Sequence, residues 1–164
     1  MTQHFRYWQS PFGTLTLVAN EHYFLQQELP IQAQQPPTPG SIEQPKMLPN
    51  VVEQLSEYFA GKRQQFDLEK FDLPCLWQGT PFQQSVWQAL IHLPYGQTCS
   101  YGDLAQLIYR PRAVRAVGAA NGANPFPIIA ACHRVIASTG KLHGYGGGLE
   151  LKRQLLTLEA NHCA

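Results

Sequence analysis

The chain has 164 residues, of which 44% are hydrophobic and 14% are charged, and its formal net charge is only +1. This composition fits a folded soluble protein with one large domain or two small ones. No apolar run reaches the length of a membrane span and the N-terminus has no signal-peptide pattern, so a cytoplasmic protein is expected.

Residues 1–76 predict a small α/β domain that opens with a hairpin. Runs of β-forming residues at 5–8 and 14–18 flank a turn with Pro and Gly at 10–13. Residues 22–25 are a candidate for a third strand.

The remainder of this domain predicts a connection and one helix. Residues 30–49 are rich in Pro and Gln, which indicates an irregular segment. Asn50 is a typical N-cap for a helix that runs through Phe59 and is closed by Gly61. Residues 66–76 are short and ambiguous.

Composition changes near residue 79, and residues 80–164 predict a second, mainly α-helical domain. Thr80 followed by Pro81 is typical of a helix cap and a first-turn proline. Apolar side chains then recur at helical spacing until Pro94, which ends this helix.

Two short helices with a tight break between them follow. Ser100 and Asp103 have the spacing of a capping box that opens a helix over 101–108. Pro111 then predicts the start of a helix that runs from Arg112 to about Asn121. The pair favours a helix-turn-helix.

The last part of the chain predicts a strand, a loop and a helix. The apolar residues 128–130 indicate a short buried strand. The glycines of residues 144–148 predict a flexible loop, and residues 149–158 predict the final helix.

The charges are unevenly distributed along the chain. Residues 1–76 carry five Lys or Arg against eight Asp or Glu, residues 77–100 carry neither, and residues 101–164 carry seven against three. The C-terminal part is therefore the better candidate for a nucleic-acid surface. This excess is weak by itself, because many solvated surfaces carry as much.

The four cysteines do not predict a disulfide framework or a metal site. Cys75, Cys99, Cys132 and Cys163 form no CxxC pair and match no zinc module. The simplest interpretation is four reduced thiols in a reducing compartment, most of them inert.

Cys132 has neighbours that suit a nucleophile. A thiolate forms near neutral pH with the help of a base and of positive charge, and His133 and Arg134 carry these groups. Adjacent side chains of an extended segment point to opposite faces, so His133 would act through a bent backbone or a bridging water. A carboxylate would have to orient the imidazole, and Glu159 is a candidate.

The C-terminal half also carries a series of short motifs in a consistent order. They are Thr80-Pro81-Phe82-Gln83, Val86-Trp87, Pro94-Tyr95-Gly96, Ser100-Tyr101, Arg112-Ala113-Val114-Arg115-Ala116-Val117-Gly118, Asn124-Pro125, Cys132-His133-Arg134-Val135, Gly144-Tyr145 and Gly147-Gly148-Leu149. Through them residues 80–159 resemble the O6-alkylguanine-DNA alkyltransferase family, and the set is highly specific. The N-terminal half resembles that family only loosely.

The resemblance implies a role for each matched residue of the reaction centre. Cys132 falls on the alkyl acceptor, His133 on a water-linked base, and Glu159 on the carboxylate partner of that base. Asn124 falls on a residue that holds the active-site turn. Tyr101 falls on the tyrosine that helps to rotate the nucleotide out and donates to guanine.

It also implies a DNA surface and a pocket. Arg115 falls on the finger that fills the gap left in the base stack, and small residues on its helix allow close approach to a groove. The predicted DNA-binding residues are Tyr101, Arg110, Arg112, Arg115, Ala116 and Gly118. The predicted pocket residues are Pro127, Tyr145, Gly146 and Gly147.

The fold that the resemblance implies is a ribonuclease H-like α/β domain followed by a mainly α domain with a winged-helix-like helix-turn-helix. The implied reaction moves an alkyl group from guanine O6 in double-stranded DNA to Cys132, irreversibly, once per molecule, in a monomer with no cofactor or metal. The base must be flipped out, because O6 is inaccessible within a paired stack. Ala131 stands where the family usually has proline, which predicts a looser turn before Cys132.

Three other functions stay open at this point. A non-catalytic lesion sensor of the alkyltransferase-like type would resemble this chain but lack the acceptor cysteine. A thiol hydrolase could use Cys132, His133 and Glu159, but it leaves Tyr101 and Arg115 unexplained. A transcriptional regulator would carry a sensor or effector domain, and none is visible.

Overall fold

The computed structural model describes residues 1–30, 37–142 and 145–163. The chain divides into two compact units, Met1–Trp77 and Gln78–Ala164. In the described part of the chain, no helix combines the length and the apolar character that crossing a membrane requires.

A four-stranded sheet forms the centre of the first unit. Its strands are β1 (His4–Ser10), β2 (Gly13–Ala19), β3 (Phe24–Glu28) and β4 (Ile42–Glu43), in the order β3-β2-β1-β4. The predicted hairpin of β1 and β2 is confirmed, and β2 also pairs antiparallel with β3. The Ser10 hydroxyl fixes the hairpin turn, because it donates to the Gly13 carbonyl at 2.6 Å and accepts from the Phe12 N–H at 3.1 Å.

Strand β3 begins two residues later than the sequence predicts. The Asn20 side chain accepts hydrogen bonds from the backbone N–H groups of His22 and Tyr23, both at 2.8 Å. These bonds hold the two residues in a turn, so pairing with β2 starts only at Phe24.

Strand β4 lies inside residues 30–49, for which the sequence predicts an irregular connection. Ile42 donates to the Gln3 carbonyl at 3.0 Å and pairs parallel with His4. A strand of two residues has no alternating pattern, so this part of the prediction was wrong for lack of a local signal. Residues 31–36 of the same segment lie outside the described residues.

Helix α1 (Pro49–Phe59) is capped by a residue distant in sequence. Asn50 is not the N-cap, which is Leu48 in a left-handed conformation with φ 54° and no side-chain cap bond. The Asp72 carboxylate instead accepts from the N–H groups of Asn50 at 2.9 Å and Val51 at 3.3 Å. The prediction was wrong because this acceptor comes from another part of the unit.

One face of α1 packs with the sheet to form the core of this unit. The rings of Trp8 on β1 and Phe59 on α1 lie 5.8 Å apart. The fully buried apolar side chains here include Leu15, Leu17, Val18, Phe24, Val51, Leu55 and Tyr58.

The second unit begins with helix α2 (Pro81–Ile91), which has the predicted cap. The Thr80 hydroxyl accepts from the Gln83 N–H at 3.1 Å, and the Gln83 side chain accepts from the Thr80 N–H at 2.9 Å. The buried Trp87 donates from Nε1 to the Ala120 carbonyl at 2.8 Å. This bond ties α2 to a later helix of the unit.

Helices α3 (Tyr101–Leu107) and α4 (Val114–Gly122) pack against each other. The predicted capping box of α3 is confirmed, with Ser100 and Asp103 each accepting from the other's N–H at 3.0 Å. Helix α4 begins later than predicted. Pro111 lies in a turn closed by the Ala113 N–H on the Arg110 carbonyl at 2.9 Å, so it is not a first helical residue.

The apolar residues 128–130 are buried but form no strand. Ile128 has φ 77°, and the Ala130 N–H donates to the Phe126 carbonyl at 2.8 Å, which makes a tight turn. The prediction was wrong here because burial alone makes a short run apolar, whatever its backbone conformation.

The chain after this turn leads to the last helix. A three-ten turn over Cys132–Arg134 is followed by β6 (Val135–Ile136), which pairs parallel with β5 (Cys99–Ser100). Helix α5 (Leu149–His162) starts at the predicted residue and extends past the predicted end at Leu158.

The remote cap of α1 gives a stability prediction. Asp72→Ala should lower the free energy of unfolding by about 1 kcal/mol, the usual effect of losing an N-terminal cap. Glu69→Ala, which removes an exposed carboxylate of the adjacent three-ten turn, should have a smaller effect. Chemical denaturation of both variants tests this, and equal losses would contradict the capping role.

Candidate active site

Cys132 is held in a buried turn built from backbone hydrogen bonds. The Cys132 N–H donates to the Ala130 carbonyl at 2.8 Å, and the Arg134 N–H donates to the Ala131 carbonyl at 3.1 Å. The backbone is therefore bent at Cys132, which is one of the two arrangements that the sequence left open for His133. The Ala131 N–H also donates to the Leu90 carbonyl at 3.2 Å, a bond that proline could not form.

Asn124 connects the two ends of this turn. Its Nδ2 donates to the Ala130 carbonyl at 2.8 Å, and its Oδ1 accepts from the Phe126 N–H at 2.9 Å. The same side chain acts on the Cys132 thiol, since it lowers the pKa of that group. Asn124 therefore fixes the backbone path that carries Cys132.

The surroundings of Cys132 exert opposite effects on its acidity. Burial raises the pKa of the thiol, whereas the nearby side chains of Asn124 and Tyr145 and the positive charge of Lys152 lower it. Burial prevails, so the pKa lies above its ordinary value and the resting residue is a thiol. The groups that favour the thiolate are nevertheless already in place.

Lys152 is a member of the site that the sequence did not reveal. Its side chain is fully buried, and Nζ donates to the Val135 carbonyl at 2.7 Å and lies 5.9 Å from the centre of the Tyr145 ring. Burial lowers the pKa of Lys152, and the nearby Cys132 raises it. A signal did exist, because Lys152 and Glu159 are seven residues apart and so share the buried face of α5 with Leu155.

His133, the residue after Cys132, forms a buried pair with Glu159 of α5. His133 Nε2 lies 2.6 Å from Glu159 Oε2, and both side chains are fully buried. Burial lowers the pKa of His133, and together with the charges of Arg134 and Lys152 it outweighs the raising effect of Glu159, so the imidazole is neutral near pH 7. A neutral ring that donates from Nε2 to a carboxylate keeps a lone pair on Nδ1, which is buried and has no partner among the described residues.

The sequence suggested that Arg134 supplies positive charge to the Cys132 thiolate. In the structure its guanidinium instead binds the carboxylate of Glu159. Its Nε and Nη2 donate to Glu159 at 2.8 and 3.0 Å, and its Nη1 donates to the Leu93 carbonyl. The Gly96 N–H donates to Glu159 Oε1 at 3.1 Å. Burial raises the pKa of Glu159, but His133 and Arg134 outweigh it and hold the pKa well below its usual range.

Tyr101, the first residue of α3, lies near the thiol. Burial raises the pKa of its hydroxyl, and a thiolate at Cys132 raises it further, so the hydroxyl stays protonated and can donate. A Cβ added to Gly118 of α4 would meet the Tyr101 ring at 3.9 Å, which is ordinary contact. Internal packing therefore does not require glycine at position 118.

The predicted DNA-binding residues lie on the surface of the α3–α4 region. Gly118 and Tyr101 are half-buried and the others are exposed. Among the described residues, none forms a hydrogen bond or ion pair with the guanidinium of Arg115. The exposed members are Arg110, Arg112, Arg115 and Ala116.

The predicted pocket residues fall on two segments. Pro127 is buried in the turn before Cys132, and the side chain of Tyr145 lowers the pKa of the Cys132 thiol. Gly146 and Gly147 continue from Tyr145 toward the start of α5, whereas Gly144 of the quoted motif lies outside the described residues.

Cys75 and Cys99 are poor candidates for a second reactive thiol. Burial raises the pKa of Cys75 to about 12, and burial with the charge of Asp103 raises that of Cys99 to about 11. Within residues 1–30, 37–142 and 145–163, no three His, Cys, Asp or Glu side chains come together in a way that could hold a metal ion.

Comparison with known proteins covers both units. Residues 4–73 match the family profile described as 6-O-methylguanine DNA methyltransferase, ribonuclease-like domain. Residues 81–161 match the profile described as 6-O-methylguanine DNA methyltransferase, DNA binding domain.

Individual relatives match nearly the whole chain. It is 47% identical over 153 residues to the methylated-DNA–protein-cysteine methyltransferase of Mycolicibacterium paratuberculosis, which covers 93% of this chain and 90% of that one. It is 44% identical over 155 residues to the Methanosarcina barkeri protein of the same name, with 94% and 95% covered. The crystal structure of Mycobacterium tuberculosis OGT in complex with DNA resembles it with a TM-score of 0.85 and 43% identity, over 97% and 94% of the two chains.

The buried ionisable pair predicts how stability depends on pH. The folded pKa values of Glu159 and His133 are both lowered. Their contributions are therefore present above the unfolded pKa values, about 4.3 and 6.5, and are lost as the pH falls. We expect the free energy of unfolding to decrease below about pH 6.5 and to decrease more steeply below about pH 4.3.

Denaturation of wild type and Glu159→Gln over this pH range measures the effect. Glu159→Gln leaves Arg134 buried without a counter-charge, so it should destabilise by about 3–5 kcal/mol at pH 7 and flatten the acidic slope. Glu150→Gln, on the exposed face of the same helix, is the matched control and should keep the wild-type slope. Identical slopes in wild type and Glu159→Gln would contradict the assignment.

Proposed function

The chain belongs to the 6-O-methylguanine DNA methyltransferase family, and from the site geometry we propose that Cys132 is the residue that receives the alkyl group. The protein has an N-terminal ribonuclease-like domain and a C-terminal DNA-binding domain, and it repairs O6-alkylguanine in DNA by alkyl transfer. One observation carries the proposal. Cys132 is buried in a turn that Asn124 holds by hydrogen bonds, and the next residue is a histidine paired with Glu159 at 2.6 Å.

The first step is loss of the thiol proton. The Nδ1 lone pair of His133 takes the proton of Cys132 through a bridging water, and the imidazolium that forms is stabilised by Glu159 at 2.6 Å. The thiolate that remains is stabilised by Asn124, Tyr145 and the charge of Lys152. Lys152 thus supplies the positive charge near the thiolate that the sequence led us to expect from Arg134.

The second step transfers the alkyl group. The thiolate attacks the alkyl carbon, a carbon–sulfur bond forms, and the bond from that carbon to O6 breaks with its electron pair moving to guanine. Tyr101 lies near the sulfur with its hydroxyl protonated, and it donates a hydrogen bond to the departing base. The product is a thioether, which has no easy reverse, so each molecule reacts once and the step balances without a cofactor.

The substrate base has to leave the duplex before this chemistry, because O6 lies within the paired stack. We assign α3 and α4 as a helix-turn-helix that binds the DNA, with residues 80–164 as the acceptor domain and residues 1–76 as the N-terminal domain. Arg115 would occupy the space left by the base. A side chain at position 118 would find room within the protein. A glycine there therefore fits a requirement from outside, the close approach of α4 to a DNA groove. Pro127, Tyr145, Gly146 and Gly147 would line the pocket for the flipped base.

The non-catalytic alternative is not favoured. It requires a chain without an acceptor, whereas Cys132 is present beside the His133–Glu159 pair, and relatives such as the Mycolicibacterium protein carry the name of methyltransferases. A thiol hydrolase would have no use for the exposed arginines of α4 and of the turn before it.

The acceptor assignment is tested by intact mass. Incubation with duplex DNA containing O6-methylguanine should add one methyl group to the peptide with Cys132, and the DNA repaired should never exceed the protein present. Cys132→Ser should gain no methyl group but should still bind the duplex, and Cys99→Ser, the half-buried control, should react as wild type does. Sustained turnover, or self-methylation of Cys132→Ser, would refute the proposal.

The role of Arg115 is tested with two substrates. Arg115→Ala should slow single-turnover repair of duplex DNA by about tenfold, which corresponds to about 1.4 kcal/mol of the flipping cost, and should leave the reaction with free O6-benzylguanine unchanged. Free base has no stack to leave.

Arg110→Ala is the control for phosphate attraction. Its loss of rate should depend on salt, whereas the loss in Arg115→Ala should persist at each salt concentration. If Arg115→Ala loses equally on duplex and free base, Arg115 supports the active site and has no part in flipping.

A further inference from the structure

The turn between α3 and α4 presents a tyrosine in an unusual backbone conformation. Tyr109 has φ 60°, in the left-handed region that favours glycine and that a bulky side chain rarely adopts. It follows the C-cap Ile108, and its N–H donates to the Gln106 carbonyl at 3.0 Å. Glycine is the usual residue at this position after a helix, so the backbone does not account for a tyrosine.

Packing does not account for it either. The Tyr109 side chain is 90% exposed, and no described residue forms a hydrogen bond, ion pair or ring contact with it. Leu107 and Val114 on either side of the turn are also partly exposed, at 56% and 39%. The turn therefore presents an aromatic ring and apolar surface to the solvent.

The charge around this turn suits a polyanion. Arg110 and Arg112 are exposed on the turn and Arg115 follows on α4, while the sequence has no Asp or Glu from residue 104 to residue 149. Asp103 also lies near Tyr109, but its carboxylate accepts the Ser100 N–H at 3.0 Å within the cap of α3. An exposed tyrosine among arginines has the chemistry that contacts the sugar-phosphate backbone of a duplex.

We propose that Tyr109 is a DNA-contacting residue, with its hydroxyl donating to a phosphate oxygen and its ring covering a deoxyribose beside the lesion. This inference rests on the proposed function, because it takes duplex DNA as the partner and α3–α4 as the docking element. On this inference, Tyr109 contributes to DNA binding although its left-handed backbone conformation destabilises the turn.

The test uses the opposite effects that Tyr109→Gly should have on stability and binding. Removal of the left-handed side chain should raise the melting temperature by about 2–4 °C. The same change should weaken binding of a fluorescein-labelled undamaged duplex by about tenfold, the size expected for a lost hydrogen bond to a charged group. Transfer from free O6-benzylguanine to Cys132 should be unchanged, because that substrate has no backbone.

Two controls locate the effect. Tyr109→Phe should lose most of the affinity if the hydroxyl contacts phosphate, and Leu107→Ala, which shortens an exposed apolar neighbour, should bind as wild type does. Undiminished duplex affinity in Tyr109→Gly, or a lower melting temperature, would overturn the inference. A loss of self-association in sedimentation with duplex affinity retained would assign the ring to a second copy of the chain and overturn it too.

The failure of this inference is distinguishable from failure of the proposed function. Wild-type protein that gains no alkyl group on Cys132 refutes the function, whatever Tyr109 does. Wild-type transfer together with normal duplex binding by Tyr109→Gly refutes only the assignment of Tyr109.

Discussion

The buried carboxylate of Glu159 is the group on which the arrangement of the site depends. It accepts hydrogen bonds from His133, Arg134 and the backbone of Gly96, and so joins α5 to the Cys132 turn and to the segment after α2. A buried carboxylate is tolerated only when it is paired and hydrogen-bonded in this way. Because Arg134 keeps Glu159 ionised, Glu159 can hold His133 in the tautomer that leaves Nδ1 free to accept a proton.

The backbone of the Cys132 turn is fixed by hydrogen bonds and not by a proline ring. The sequence places alanine where a proline is usual in the family, which by itself removes a constraint. In the structure, the Ala131 N–H donates to Leu90, and Asn124 bonds across the turn to Ala130 and Phe126. Hydrogen bonds from neighbouring segments thus take over a restriction that a ring would have imposed.

The sequence predicted best where the signal is local. The capping boxes at Thr80 and Ser100 and the first hairpin follow from residues a few positions apart, and each was confirmed. The predictions failed where a distant group decides, as for the Asp72 carboxylate on α1. Burial likewise makes residues 128–130 apolar without making them a strand.

In the site, the sequence around Cys132 predicted residues that the structure places together. They include Glu159, which lies on α5, well after Cys132 in the chain. The sequence did not identify Lys152, because a lysine on an amphipathic helix is ordinarily a surface residue. It also paired Arg134 with the thiol and not with Glu159. Neighbours in sequence do not reveal where their side chains point once the backbone bends into a three-ten turn. Partners of buried charges are set by tertiary packing, which spacing does not encode.

The burial of Cys132 has a consequence for the lifetime of the protein in the presence of oxidants. Peroxides attack thiolates far more readily than thiols, and the first product is a sulfenic acid. A side chain that is 5% exposed and whose pKa is raised by burial presents little of the reactive form. A protein with a single-use acceptor would lose its capacity to repair with each accidental oxidation, so the same burial that slows the formation of the nucleophile preserves it for the lesion.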